Sequence, residues 1–425
     1  MLSDLSRVSF DYFIRQGNPE NGLVADRDRP GAPASIAAVG MALTAYPVGV
    51  ARGYIGRPDA RKRTLTTLRF LWHLPQGTDE DAGGHRGFFY HFLDMASGRR
   101  VWQCELSTID TAILMAGVLT AAAYFDWDDR EEAEIRDLAD RLYRRVDWSW
   151  AEDGSRTVRL GWKPRSRFLK YRWRGYSEAL ILYVLGLASP THPLSAESYH
   201  AYVEGFRWRT AEGQDYLHAG PLFIHQMSHI WIDFRGIRDA FMRNHGSDYF
   251  ENSRRATYAQ RAYAIRNPNG FRGYEADCWG ITASDGPGPA DRRIGGVRRY
   301  FYGYLARGIP DGPDDGTLSP WAVAASLPFA PEIVLPALRH LHAIGLRDAN
   351  PYGFTASFNP TFRERHGEPA GWVAPETIGI NQGPMALMIE NHRSEFLWKL
   401  MRGCPAIATG LRRAGFSGGW LDARP

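Results

Sequence analysis

The segment "STIDTAILMAGVLTAAAYFDWDDREEAEIRDLADRLYRRV", Ser107 to Val146, decides the fold. Its first half, 108–125, is apolar on every side once past Asp110, which is the signature of a helix buried all round. Its second half, 129–147, also reads as a helix, and the short turn "FDWDDR" between them makes the two an antiparallel pair. Ser107 or Thr108 can cap the first helix, with Asp110 in its opening turn. An acid there either complements the helix dipole or, because the helix is buried, points with Glu105 into a site.

The same alternation extends over the chain. Helical periodicity is read over 2–16, 33–55, 58–74, 176–188, 195–210, 230–244, 247–265, 321–326, 331–344 and 379–401, many entered by Ser, Thr, Asp or Pro and left at Gly. Short turns alternate with four long, aromatic, Gly-rich connections at 75–107, 148–175, 266–320 and 345–378, and structureless loops of that length are uncommon unless functional. About twelve paired helices with their long loops at one end predict an all-α fold, an (α/α)6 toroid whose loops form a cleft. No fixed-length repeat favours a solenoid instead. "GFFYHFLD" and "TVRLGWKPRS" are expected to form small hairpins within the loops.

The totals agree with a single domain over 1–425, because a toroid absorbs this length. Hydrophobic residues make up 44% and charged residues 23% of the chain, which excludes disorder and fibrous architectures. The surplus lies in 14 Trp, 20 Tyr and 21 Phe, which serve either as core anchors or as flat platforms for a sugar. A net charge of +4 without basic blocks does not indicate nucleic acid as a partner. Three isolated cysteines suggest neither a disulfide framework nor a zinc site. No apolar run is long enough to cross a bilayer and the N-terminal stretch lacks export-signal features, so a cytoplasmic or periplasmic location is expected. Composition leaves the oligomeric state open.

Chemistry-bearing residues crowd into few places. Glu178, in "WRGYSEALILYVLGL", stands at the mouth of an apolar helix beside Trp173, Tyr176 and Tyr183. Desolvation there raises a carboxyl pKa toward the range useful for proton donation, unless Arg172 or Arg174 pairs with it. In "PLFIHQMSHIWIDFRGIRD", His225 and His229 have helical i,i+4 spacing but lack the glutamate of a metalloprotease helix, so no metal is expected. Asp233, Arg235, Arg238 and Asp239 there read as an ion-pair lattice in the cleft wall. "YEADCWGITASDGPGP" carries Glu275, Trp279, Thr282 and Asp285. Asp311, Asp314 and Asp315 lack EF-hand spacing. In "GINQGPMALMIENHR", Asn381 and Gln382 precede an apolar helix that Glu390, Asn391 and Arg393 interrupt, with Glu390–Arg393 pairing and ligand contact both open.

Taken together, "ELSTIDTAILMAG", "GYSEALILYVLGLASPTHP", "QMSHIWIDFRGIRD", "WGITASDGP", "DGTLSPWAVAASLPFAPE", "YGFTASFNP" and "GINQGPMALMIENHRS" resemble the glycoamylase-like family. That family includes endo-β-1,2-glucanases of glycoside hydrolase family 144 and the transglycosylating domain of cyclic β-1,2-glucan synthases. The resemblance runs from about residue 5 to residue 402. It implies the toroid, no cofactor, and a cleft for β-1,2-glucan as oligosaccharide or polysaccharide.

By motif, the resemblance implies Glu178 and Asp110 as the catalytic acids, with Glu275 in reserve. Cleavage needs one carboxylic acid to protonate the leaving oxygen and a second carboxylate to activate water or attack the sugar. Trp102, Trp173 and Trp279 would stack on glucose faces. Glu105, His229, Asp233, Arg235, Thr282, Asp285 and Asn381 would contact hydroxyls or line the cleft. Transglycosylation and a different linkage stay open as alternatives, the latter because Ala356 stands where the family usually carries an acid. A non-catalytic glycan-binding protein is a further alternative, which the retained acids disfavour.

Overall fold

A computed structural model describes residues 1–79, 81–348, 350–363 and 370–423. Its helices are α1 (Leu2–Arg15), α2 (Ile36–Ala51), α3 (Arg57–His73), α4 (Thr108–Tyr124), α5 (Arg130–Arg145), α6 (Leu180–Ala188) and α7 (Glu197–Val203) in the first half. The second half has α8 (Ala240–Asn244), α9 (Tyr249–Arg266), α10 (Pro320–Ala325), α11 (Pro331–Ala343), α12 (Gly379–Ser394), α13 (Phe396–Arg402), α14 (Pro405–Arg413) and α15 (Gly419–Asp422).

Two kinds of helix follow from two kinds of sequence. α2, α4 and α6 are apolar on all sides, and nearly every residue in them is buried. α5 buries one stripe, Ile135, Leu138, Ala139 and Leu142, at the spacing of a helix with one wet face. Asp129 caps it by accepting from the Glu131 and Glu132 amides. α2 packs on α4, α4 on α6, and α12 on both α2 and α10. Outside them, α1 covers α12 and α2, α3 and α5 cover α2 and α4, α14 covers α6, and α11 covers α10. The Pro221–Ile230 region forms two 3₁₀ turns, Leu222–His225 and Met227–Ile230, that pack on α9, α10 and α12. One core cluster surrounds α2, α4 and α6, and a second lies among α9, α10 and α11. Among the described residues, no helix is long and apolar enough to cross a membrane.

The structure is mainly helical, and several small antiparallel sheets accompany the helices. Each stretch expected as a hairpin gives one strand to a five-stranded antiparallel sheet of Gly84–His85, Phe88–Tyr90, Leu106–Ser107, Gly161–Lys163 and Arg167–Phe168, while Phe92–Leu93 pairs instead with Ala34–Ser35. Ser107 pairs with Phe89 on one side and Gly161 on the other, and the next residue begins α4. The sheet therefore fixes where the first turn of α4 points.

Three helical readings are corrected. The helix expected over 195–210 ends at Val203, and Trp208–Ala211 pairs with Gln214–Leu217 across Glu212 and Gly213, both at positive φ, as a two-residue hairpin turn requires. In the helix expected over 230–244, only α8 forms at the C-terminal end, because Gly236 turns left-handed and Arg238 bridges to Ser417. The helix expected over 379–401 divides at Glu395, which adopts φ 59° while its carboxylate accepts from Arg235 at 2.7 Å.

Candidate active site

Two chain segments meet at the site through a relay of hydrogen bonds. Thr108 donates its hydroxyl to the carbonyls of Arg159 and Leu160 and accepts from the Trp173 indole N–H at 2.9 Å. The Tyr183 hydroxyl donates to the Trp173 carbonyl at 2.6 Å. Further on, the Ser228 hydroxyl donates to the Glu178 carbonyl and accepts from the Ile181 amide, clamping the entry to α6. Helix α6 begins at Leu180, later than its periodicity suggests, so Glu178 sits on the turn before it.

The result is a cavity of about 550 Å³, within the usual size of a small-ligand site. Glu178, Asp110, Glu105, Trp173 and Asn381 line it together. Trp321, Phe92, Phe223 and Tyr304 supply further flat apolar wall. Tyr304 is 69% exposed and stands at the mouth.

The two principal acids have different surroundings. Burial, with the Asp110 charge as a smaller contribution, pushes the Glu178 carboxyl up to about 7. No cation pairs with it among the described residues. Arg172 donates to the carbonyls of Glu152 and Thr157, and Arg174 faces Glu204, so neither arginine is its partner. Asp110 accepts from the Ser107 hydroxyl at 2.5 Å, while its own amide donates back to that oxygen. His91 Nε2 lies 3.6 Å from Asp110 Oδ2, and His91 Nδ1 lies 2.9 Å from Glu105 Oε1. Burial opposes charge on His91, but Asp110, Glu105 and Asp26 outweigh it and raise its pKa to about 9. The hydrogen bond from His91 in turn lowers the Glu105 pKa.

Other expected residues stand elsewhere. Glu275 is more than half exposed and lies 3.5 Å from His340, outside the cavity. Trp102 is 64% exposed, its ring 5.3 Å from that of Phe92, so it stands at the rim. Trp279 is wholly buried in the second core cluster and offers no face to a sugar. Thr282 is buried and accepts from the Phe223 amide, supporting the wall from behind. Asp285 accepts from Arg27 at 2.6 Å, and Arg27 lines the cavity.

His229 is buried in the core, where its Nε2 meets the Ser253 hydroxyl at 3.0 Å. Burial drives its pKa down to about 3, so it is neutral. Asp233 and Arg235 do form an ion-pair lattice, completed by Glu395 and Arg402, but it lies away from the cavity. Asp239 leaves that lattice and accepts from the Tyr199 and Tyr249 hydroxyls, each at 2.7 Å. Glu390 pairs with Arg52, not Arg393. Asp315 is locked to buried Arg307, and Asp314 accepts from Tyr263 and Tyr274.

Sequence reasoning missed Asp26, Arg27, His91, Tyr304 and Trp321. The histidine lies in "GFFYHFLD", between the strands Phe88–Tyr90 and Phe92–Leu93, which pair with different partners rather than with each other, and a lone imidazole among aromatics gives no sign of the acids it meets. Arg27 reaches its partners Asp285 and Glu376 from more than 250 residues away, which no local pattern reports.

Residues 170–405 match the Glycoamylase family, described as "Putative glucoamylase". A curated protein of Parabacteroides distasonis, an exo-β-1,2-glucooligosaccharide sophorohydrolase acting at the non-reducing end, is 28% identical over 449 residues, covering 97% of this chain. The chain spans 57% of that relative's length. A Bacteroides uniformis crystal structure described as a "putative glucoamylase" is 31% identical, with a TM-score of 0.86 over 99% of this chain and 98% of that one. The endo-β-1,2-glucanase of Chitinophaga pinensis, solved with sophorotriose and glucose, is 27% identical, with a TM-score of 0.84 over 99% and 98% of the two chains.

Proposed function

The chain belongs to the glycoamylase family, and from that premise we propose that it is a glycoside hydrolase cleaving β-1,2-glucan, with Glu178 as general acid and Asp110 as the second carboxyl. The observation that carries this reading is the presence of both carboxyls in one cavity, with the Glu178 pKa raised by burial. Glu178 is desolvated and has no cationic partner among the described residues, so it keeps its proton near neutral pH. Asp110 accepts from the Ser107 hydroxyl at 2.5 Å, which fixes its carboxylate at the cavity wall.

In the proposed reaction, Glu178 donates its proton to the departing glycosidic oxygen as the bond to the anomeric carbon breaks. Asp110 either takes a proton from the water that attacks that carbon or attacks it directly. Trp173 and Tyr304 offer faces for glucose rings, and Asn381, Glu105 and Arg27 offer polar partners for hydroxyls. The choice of β-1,2-glucan rests on the substrates named for the Parabacteroides and Chitinophaga relatives.

The architecture we propose is one (α/α)6 catalytic domain over 1–425. Its inner ring would be α2, α4, α6, the 222–230 turns, α10 and α12, covered outside by α1, α3, α5, α14, α9 and α11. The packing order of these elements supports that ring, and a cavity lined from Asp26 to Asn381 supports a single unit.

The test is Glu178→Gln assayed on linear β-1,2-glucan, with products resolved by chain length. Loss of cleavage in a variant that melts like the parent is expected. Full activity would overturn the assignment, and longer products formed from sophorose-series acceptors would move the reaction to transglycosylation.

A further inference from the structure

Acid–base cleavage in one cavity demands that two neighbouring carboxyls hold a single proton between them, on the correct one. Burial accounts for protonated Glu178. It does not say what holds the Asp110 carboxyl, which is itself buried, in place at the cavity wall. The wall group that faces Asp110 is His91, to which no role has been given above.

The geometry around His91 is specific. One ring nitrogen bonds Glu105 at 2.9 Å and the other approaches Asp110 at 3.6 Å. Phe92 stacks on the imidazole at 3.9 Å between centroids and 13° between planes, which fixes the ring's tilt. Asp26, from the N-terminal loop, adds a third negative charge, itself bonded by Arg27. Lys163, from the five-stranded sheet, acts on Glu105 from the other side. Glu178 faces Asp110 across the cavity. His91 is thus a single imidazole among three carboxylates, with its nearest cationic neighbours engaged on those acids.

We propose that His91 is a positioning residue for the hydrolysis: an imidazolium held between Glu105 and Asp110 that orients the Asp110 carboxylate into the cavity opposite Glu178. The inference rests on the proposed hydrolase reading and deepens it. Glu105 is then the outer anchor of a Glu–His–Asp chain in addition to being part of the cavity wall. The pKa of His91, raised to about 9, agrees with the charged form over the working range.

Two measurements test this. The pH dependence of kcat/KM on β-1,2-glucan is compared between the parent, His91→Gln and Glu105→Gln. Removing a cation from beside an acid disfavours its charged form, so the acidic limb of His91→Gln is expected to move up by about one pH unit or more. At the acidic side kcat falls by about tenfold or more while KM changes little. Glu105→Gln, which loosens the clamp but keeps the imidazole, shifts the limb in the same direction by less. A profile scaled down with unmoved limbs would overturn the inference, because a purely structural role predicts that result.

The second measurement needs no substrate: an NMR titration of the resting protein with labelled histidine. The expected result is an imidazole titrating near 9 that is absent in His91→Gln and titrates lower in Glu105→Gln. No imidazole titrating above pH 8 would overturn the clamp. A high-titrating imidazole in a protein that leaves β-1,2-glucan intact would support the clamp and sink the hydrolase reading instead.

Discussion

Gly40 of α2 and Gly117 of α4 meet backbone to backbone where the two helices cross. A Cβ at Gly117 would lie 2.2 Å from the Gly40 carbonyl oxygen, and one at Gly40 would lie 2.5 Å from that of Ile113. This close approach sets the position of α4, whose first turn carries Asp110 into the cavity. Gly117→Val is therefore expected to destabilise the fold by about 1–3 kcal/mol through overpacking. Urea unfolding of the variant measures it, and an unchanged midpoint would contradict the crossing.

Replacing Glu178 by Gln should reduce kcat by about 10²–10⁴, the usual share of general acid catalysis. Stability should move the other way. The folded-state pKa near 7 exceeds the unfolded value, so the parent loses stability as pH rises from about 4.5 through 7 while the Gln variant does not. The Tm of Glu178→Gln is expected to match the parent at pH 4 and exceed it at pH 8. A gap that shrinks with rising pH would show that this carboxyl is not desolvated.

The same acid predicts the alkaline side of the activity profile. Proton donation requires protonated Glu178, so kcat/KM should fall as pH rises past about 7. A rate flat to pH 9 would assign the donor elsewhere.

Arg307 and Asp315 form an ion pair with both side chains fully buried, and Arg307 also donates to the carbonyls of Ser284, Tyr302 and Gly303. Arg307→Met leaves the Asp315 charge enclosed without its partner, an arrangement that costs about 3–5 kcal/mol. Because Ser284 lines the cavity, activity should decline with stability. Thermal unfolding and turnover measured on the same preparation check both.

Glu275 and Tyr304 offer a paired contrast. Glu275 is exposed beside His340, and Glu275→Gln should keep kcat within about twofold, as expected for a surface ion pair of little worth. Tyr304→Ala removes a ring at the cavity mouth and should raise KM with a smaller effect on kcat. The opposite pattern would return Glu275 to the catalytic set.

Periodicity made much of the helical framework legible. α2, α4 and α6 announce their burial by being apolar on all sides, and the helix starts at Asp110 and near Glu178 could be found because an acid at the mouth of such a helix is conspicuous. The segment between Ile230 and Asp239 was misread, because its alternating apolar and charged residues fit a helix until Gly236 and the Arg238–Ser417 bridge are known. The resemblance implies a sugar platform at Trp279, but an aromatic residue in a polar loop carries no mark of which way it faces. The fold turns it into the core.

By itself, then, the chain's pattern of polar and apolar residues determined the buried helices and the two carboxyls at their entrances, because burial of a helix is written in its own 3.6-residue period. Tertiary structure alone decided which groups meet those acids. His91 reaches Asp110 through the register of a five-stranded sheet, and Arg27 reaches Asp285 across 258 residues, contacts set by the paths of loops whose local sequences encode no distance between them.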